Sequence, residues 1–283
     1  MPGVVQSRAV PPVLIAIVLG LVEGITEFLP VSSTGHLMLV GPWMRFSDQK
    51  AHAFEIFIQF GAILAVVWDL RAPLGAMLRR ARREAAPRRF LGAVLLAFLP
   101  SALAGFALHE AIETHLSYAR PIAWAFIVGG VVILVVEAWA ARRAKDAPVT
   151  DAVEEIGWGQ ALAIGCAQVA ALFPGASRSA ATILGGLLAG LSRRAATEFS
   201  FYLAIPTLGA ASGYALLKEL PRLSASDIPV FAVGFVVSFL SAAAVVRVFL
   251  AYVRTRTLAP FAWYRIAVGF LILVLVATGR WVG

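Results

Sequence analysis

Charge is what this sequence has least of. Asp, Glu, Lys and Arg make up 14% of its 283 residues, against about 25% in a soluble domain. That is too little to coat a globule of this length in water, so an ordinary soluble enzyme is excluded. Cysteine is nearly absent. Cys166 stands alone, which rules out an intramolecular disulfide and a thiolate-built metal centre. Acidic residues are the minority, 16 against 24 basic ones. A basic surplus can point to nucleic acid. Here the cations sit in breaks between apolar runs and form no basic face, so no nucleic-acid partner is expected. A cleavage site of small residues is also missing after the first apolar stretch, which contains Glu23 and Glu27. That stretch is therefore expected to belong to the mature chain and not to a signal peptide.

What the sequence has in quantity is apolar length, with 60% hydrophobic residues. One membrane span takes about 20 of them. Six spans are expected, over residues 53–70, 90–108, 119–141, 196–217, 228–253 and 260–278. Two further apolar regions do not read as simple spans. Residues 11–43 are broken by Pro30-Val31-Ser32-Ser33-Thr34-Gly35, and residues 158–191 by Pro174-Gly175-Ala176-Ser177-Arg178-Ser179. Each is too long for one span and short for two spans with a loop. A helix–loop–helix that enters and leaves on one side of the bilayer fits better, provided its irregular turn is buried in protein or lines a wet cavity.

The two broken regions resemble each other. Ser33 and Ser177 are 144 residues apart, as are Pro30 and Pro174. Each is followed by a span with an acidic residue near its start, Glu55 or Glu198. The expectation is an all-α integral membrane protein forming a single membrane domain over 1–283. It has six transmembrane helices, two re-entrant hairpins and inverted-topology repeats at about 9–141 and 156–280. In such plans the broken helices meet near the midplane and build the site. Arg and Lys concentrate around 71–89, 142–145, 193–194 and 254–256, which would face the cytoplasm. The first hairpin then opens outward.

The candidate chemistry lies at the two breaks. Glu23 and Glu27 are one helical turn apart and share a face. Two carboxylates in an apolar segment repel unless a cation or a proton intervenes, and their oxygens suit Mg²⁺ or Ca²⁺. Ser32, Ser33 and Thr34 are good helix N-caps, which is their plain structural role. A helix N-terminus is also a ready phosphate site. His36 lies three residues after Ser33, close enough for a hydroxyl–imidazole pair if the turn is helical. Arg178 lies between Ser177 and Ser179, with Thr182 one turn on. A deeply placed guanidinium needs an anion, either Glu23 or Glu27 or a phosphate. Arg265 and Arg247 fall inside apolar segments and are candidates of lower rank. Carboxylates, hydroxyls, an imidazole and a guanidinium together suit a phosphoryl group.

The segment Glu23-Gly-Ile-Thr-Glu27-Phe-Leu-Pro-Val-Ser-Ser-Thr-Gly-His36 and the segment Pro174-Gly-Ala-Ser-Arg-Ser-Ala-Ala-Thr182 resemble the two signature motifs of the bacterial undecaprenyl-diphosphate phosphatases, the bacitracin-resistance family. Residues 54–67 and 198–206 resemble that family as well, and Ala180 stands where its pattern often carries Gly. The resemblance implies hydrolysis of undecaprenyl diphosphate to the monophosphate and inorganic phosphate, which recycles the cell-wall lipid carrier and confers bacitracin resistance. It implies a divalent cation, Mg²⁺ or Ca²⁺, a bacterial inner-membrane location and a site reached from the periplasmic face. Carried over, Glu27, Ser33, His36 and Arg178 are catalytic, and Glu23 and Glu27 hold metal. Ser32, Thr34, Ser177, Ser179 and Thr182 bind phosphate. Undecaprenyl diphosphate and membrane lipid are the expected partners, and a homodimer is compatible with the sequence. The alternative is a flippase or transporter of polyprenyl phosphate, since inverted repeats also underlie alternating access.

Overall fold

The computed structural model describes residues 10–44, 50–116, 118–219, 221 and 223–280. The outer ends of the expected domain and of its first repeat, residues 1–9 and 281–283, lie outside that set. Among the described residues the structure is helical: α1 (Pro12–Thr26), α2 (Ser33–Trp43), α3 (Ala51–Asp69), α4 (Arg71–Arg80), α5 (Ala85–Leu116), α6 (Ala119–Asp146), α7 (Trp158–Gln168), α8 (Arg178–Leu188), α9 (Arg193–Glu219), α10 (Ile228–Val253) and α11 (Ala259–Ala277). Helix is what apolar sequence of this length must form in lipid, because no water is there to satisfy an open backbone.

Six of these helices are long and apolar enough to cross a membrane: α3, α5, α6, α9, α10 and α11. They coincide with the six expected spans to within a few residues. Their outward faces carry large apolar side chains such as Leu103, Phe106, Leu240 and Val248, all well exposed. In water a surface of this kind would be a liability, and facing acyl chains it is the expected one. The chain is a multi-pass membrane protein. Helix α4 was not expected. It is a short arginine-bearing segment anchored by buried Met77.

Each apolar region that reads as broken is a pair of half-helices. In the first, α1 leads through 27–32 into α2. In the second, α7 and a 3₁₀ turn at Val169–Leu172 lead through 173–177 into α8. Both α2 and α8 start from a serine N-cap with a left-handed backbone, Ser32 at φ 73° and Ser177 at φ 74°, the only non-glycine residues of this kind among those described. Each hydroxyl accepts a hydrogen bond from the backbone N–H three residues on, Gly35 at 3.4 Å and Ala180 at 3.2 Å. Such a conformation costs a non-glycine residue about 1–3 kcal/mol and persists only where its surroundings enforce it. The caps therefore set Ser32 against Ser177, and Ser33 against Arg178. This is one residue out of the register that pairs the prolines.

The packing partners exchange between the halves. Helix α1 lies against α10 as α7 lies against α5, α10 contacts α3 as α5 contacts α9, and α6 packs on α11. Glycines make these approaches close. A Cβ on Gly24 of α1 would sit 2.1 Å from Ser241 Oγ of α10, and one on Gly165 of α7 would sit 2.5 Å from the Ala97 carbonyl of α5. Small residues at crossings are how membrane helices gain contact when no hydrophobic effect drives them together.

Candidate active site

The site is where the two turns meet. Glu27, just past the end of α1, is its centre. Its carboxylate accepts from Ser33 Oγ at 2.5 Å through Oε2 and from Arg178 Nη2 at 3.2 Å through Oε1. Ser33 and Arg178 are the first residues of α2 and α8. One carboxylate thus joins the starts of two half-helices, and both positive helix ends point toward it. The Ser33–Glu27 contact has the length of a charge-assisted O–H···O⁻ bond.

Arg178 also donates from Nη1 to the Ser200 carbonyl at 3.1 Å and lies 5.5 Å from the Phe28 ring centre. Ser200 Oγ and Thr182 Oγ1 are 2.7 Å apart. Ser179 donates to the Leu29 carbonyl at 2.7 Å and lies 3.1 Å from Ser177. Ser179 and Thr182 are therefore fully buried ties that hold the turns, with hydroxyls already engaged. Thr34 is exposed.

His36 does not hydrogen-bond Ser33. Its Nδ1 is 2.6 Å from the Ser32 carbonyl, and its Nε2 is 2.6 Å from Tyr264 Oη, with the two rings stacked parallel. A carbonyl can only accept, so Nδ1 carries a proton. The hydroxyl–imidazole pair expected from sequence spacing is replaced by a hydroxyl–carboxylate pair, because the left-handed Ser32 turns Ser33 toward α1.

Glu23 is buried one turn before Glu27, with Glu27 and Glu55 as its acidic neighbours. Arg265 is fully buried, and its donors reach the carbonyls of Pro30 (3.3 Å), Ala125 (2.9 Å) and Gly175 (2.9 Å). Arg247 pairs with Asp69 at 2.7 Å on an exposed face and takes no part. Sequence reasoning did not single out Ser200 or Tyr264. The hints were that Ser200 lies within the family-like stretch 198–206 and that Tyr264 stands beside Arg265 in an apolar helix.

Three buried side-chain atoms among the described residues have no hydrogen-bond partner, and all belong to this site: Glu23 Oε1, Arg178 Nε and Arg265 Nε. Buried polar groups are nearly always satisfied, so orphans collected in one place point to a ligand. A carboxylate oxygen calls for a cation or a proton, and guanidinium N–H groups call for an anion. A cation beside Glu23 is compatible with this donor set. No cluster of three His, Cys, Asp or Glu capable of holding a metal occurs among the described residues, so an ion here would need ligands beyond such a cluster, such as hydroxyls, carbonyls, waters or substrate oxygens. Mg²⁺ characteristically binds this way, keeping waters and substrate phosphates.

Residues 16–271 match the family described as bacitracin resistance protein BacA. The chain is 48% identical to an undecaprenyl-diphosphatase of Cupriavidus necator, an alignment covering 93% of this chain and 95% of the relative. It is 48% identical to one from Aromatoleum aromaticum, covering 93% and 94%. It is 50% identical to one from Dechloromonas aromatica, again covering 93% and 94%.

Proposed function

The chain belongs to the bacitracin resistance protein BacA family, and from that premise we infer that it hydrolyses undecaprenyl diphosphate to undecaprenyl phosphate and inorganic phosphate. It is a membrane phosphatase that recycles the cell-wall lipid carrier. The observation that carries this reading into the molecule is the Glu27 carboxylate held between Ser33 and Arg178.

In the mechanism we propose, Arg178 turns its free Nε–H to the terminal phosphate and spreads its charge. Binding of the anion loosens the Arg178–Glu27 contact and leaves Glu27 as the base for Ser33. The Ser33 hydroxyl gives its proton to Glu27 as Oγ bonds to the terminal phosphorus. The anhydride P–O bond breaks, and undecaprenyl phosphate leaves with the bond's electron pair. Glu27 passes the proton on to the leaving undecaprenyl phosphate and is a base again. Water then attacks the phosphorus on Ser33 while giving a proton to Glu27, the Ser33 Oγ–P bond breaks, and Glu27 returns that proton to Oγ as inorganic phosphate departs. His36 holds the Ser32 carbonyl and so the start of α2. A divalent cation, Mg²⁺ or Ca²⁺, would be held by Glu23 and Glu27 and would neutralise diphosphate charge. The helix N-termini at Ser32–Thr34 and Ser177–Ser179 add N–H donors for phosphate oxygens. Thr182 supports Arg178 from behind.

The two half-helix pairs are read as re-entrant hairpins of an inverted repeat, supported by the matched serine caps and the exchanged packing partners. We place the protein in the bacterial inner membrane with the Glu27 turn open to the periplasm, and assembly as a homodimer is checked by the mass of its detergent complex.

The test is phosphate release from undecaprenyl diphosphate by detergent-purified protein, with added Mg²⁺ or Ca²⁺ and with chelator. Metal-dependent release by the wild type, lost by about 10³-fold in Ser33→Ala, Glu27→Gln and Arg178→Ala, is the expected result. Full activity in Ser33→Ala would remove the serine as nucleophile. Binding of the lipid without any release would favour a carrier of polyprenyl phosphate.

A further inference from the structure

We propose that Tyr264 and Arg265, consecutive residues of α11, are positioning residues of this site: Arg265 sets the two turns against each other and Tyr264 fixes His36. The inference rests on the hydrolytic reading above and adds to it a second wall, contributed by the last helix.

Arg265 is an unusual buried cation. It is wholly inaccessible, and among the described residues no carboxylate pairs with it. Its Nη1 and Nη2 donate to carbonyls in three separate segments: Pro30 in the first turn, Gly175 in the second, and Ala125 of α6. A guanidinium taken out of water and met only by neutral carbonyls is an expensive way to hold loops together. A neutral amide could not take its place, because two N–H donors cannot meet carbonyls in three segments.

The surroundings keep this cation in place. A Cβ on Gly129 would lie 2.2 Å from Nη2, so α6 leaves that volume empty for the guanidinium. The Phe126 ring lies 5.3 Å away as a cation–π support. Gly175 takes a φ of 89°, which lets its carbonyl turn to Arg265. The remaining donor, Nε, is buried and unpartnered.

The two carbonyls from the turns come from residues close before the serine caps, Pro30 before Ser32 and Gly175 before Ser177. Fixing them fixes where α2 and α8 begin, and so the positions of Ser33 and Arg178 about Glu27. Tyr264 does the same for His36. With Nδ1–H given to Ser32, Nε2 pairs with the Tyr264 hydroxyl. The imidazole is thus held from both ring nitrogens, in one plane.

The test uses the detergent-purified full chain and the phosphate-release assay, with wild type, Arg265→Lys, Arg265→Gln, Tyr264→Phe, His36→Ala and the Tyr264→Phe/His36→Ala double variant. Lysine keeps the charge but not the fork that spans separate carbonyls. The expected result for Arg265→Lys is a fall in kcat of about 10²-fold with KM within about twofold and melting temperature unchanged. Tyr264→Phe is expected to lose about tenfold in kcat, and to lose nothing further in the His36→Ala background, because its effect passes through His36. Wild-type kcat in Arg265→Lys overturns the clamp. Equal losses from Tyr264→Phe with and without His36 overturn the relay. If both Arg265 variants fail to fold while Tyr264→Phe is fully active, α11 serves folding alone and the proposal falls. Absence of release from the wild type would instead overturn the hydrolytic reading.

Discussion

At the scale of single residues, geometry at Glu27 decides more than composition does. Its two oxygens are committed to different helices, Oε2 to Ser33 and Oε1 to Arg178, and both contacts need the full glutamate stem. Glu27→Asp keeps the charge and draws the carboxylate back by one methylene, so it cannot hold both partners. The expected outcome is a kcat about 10²-fold lower with an unchanged melting temperature, since misplacement near 1 Å carries a cost of that order. Steady-state phosphate release and a thermal melt, run on the same preparation, check it. A near-wild-type aspartate variant would mean that Glu27 acts only as a diffuse charge. The sequence alone points to Glu27, Ser33 and Arg178 as participants through their placement in apolar, Pro-broken segments. It does not reveal who bonds whom. The spacing Ser33–His36 suggests a local pair, but the left-handed backbone at Ser32 turns the hydroxyl to Glu27. That turn is enforced by tertiary contacts no local pattern encodes. Arg265 shows the same limit. Its burial is legible from an apolar helix, while its three carbonyl partners come from segments far apart in the chain.

At the scale of elements, the half-helices are where the site gains its rigidity. Their breaks are legible because Pro30, Pro174 and the serine-rich turns interrupt apolar runs. Their register is not, because Pro30 and Pro174 suggest a spacing one residue off from that of the caps Ser32 and Ser177. What keeps the half-helices in place is glycine contact. A valine at Gly165 would drive its Cβ to 2.5 Å from the Ala97 carbonyl, and one at Gly24 would meet Ser241 and the Ser238 carbonyl. These obstacles are backbone or short side chains that cannot swing aside. Each substitution is expected to destabilise the protein by about 1–3 kcal/mol through overpacking. Gly24→Val should reduce activity more than Gly165→Val at equal loss of stability, because α1 carries Glu23 and leads directly into Glu27. Thermal melts in detergent and kcat for the folded fraction separate the two effects. Equal activity losses would mean that the two hairpins are equally coupled to the chemistry.

At the scale of the whole molecule, the six spans are legible because hydropathy is a local property, and the ion pairs then show which loops share an end. Lys50, just before α3, pairs with Asp227, just before α10, at 2.7 Å. Arg80 at the end of α4 pairs with Glu154 between α6 and α7 at 2.9 Å, and also with Glu84, whose carboxyl it holds below the usual range. Arg193 at the start of α9 meets Glu137 late in α6, and Arg247 late in α10 meets Asp69 at the end of α3. Each of these pairs joins loops or helix ends that alternation of the six spans and two re-entrant hairpins assigns to the same face. Arg178–Glu27 instead links the turns of the two opposed hairpins. Had α7–α8 crossed the bilayer as one span, the loop before α10 would fall on the other side and Asp227 could not reach Lys50. In the orientation proposed above, the positive-inside bias puts the arginine-rich end at the cytoplasm. In a Cys166→Ser background, single cysteines in place of the exposed Arg82 and Ser226 test this arrangement. A membrane-impermeant maleimide added to right-side-out vesicles should label the Ser226→Cys protein and spare the Arg82→Cys protein, with the pattern reversed in inverted vesicles. Labelling of both from one side would overturn the assignment of faces, and with it the re-entrant reading of the second hairpin. The reverse pattern would keep the hairpins but turn the Glu27 site toward the cytoplasm, where a diphosphate left on the outer leaflet could not reach it without being moved across first.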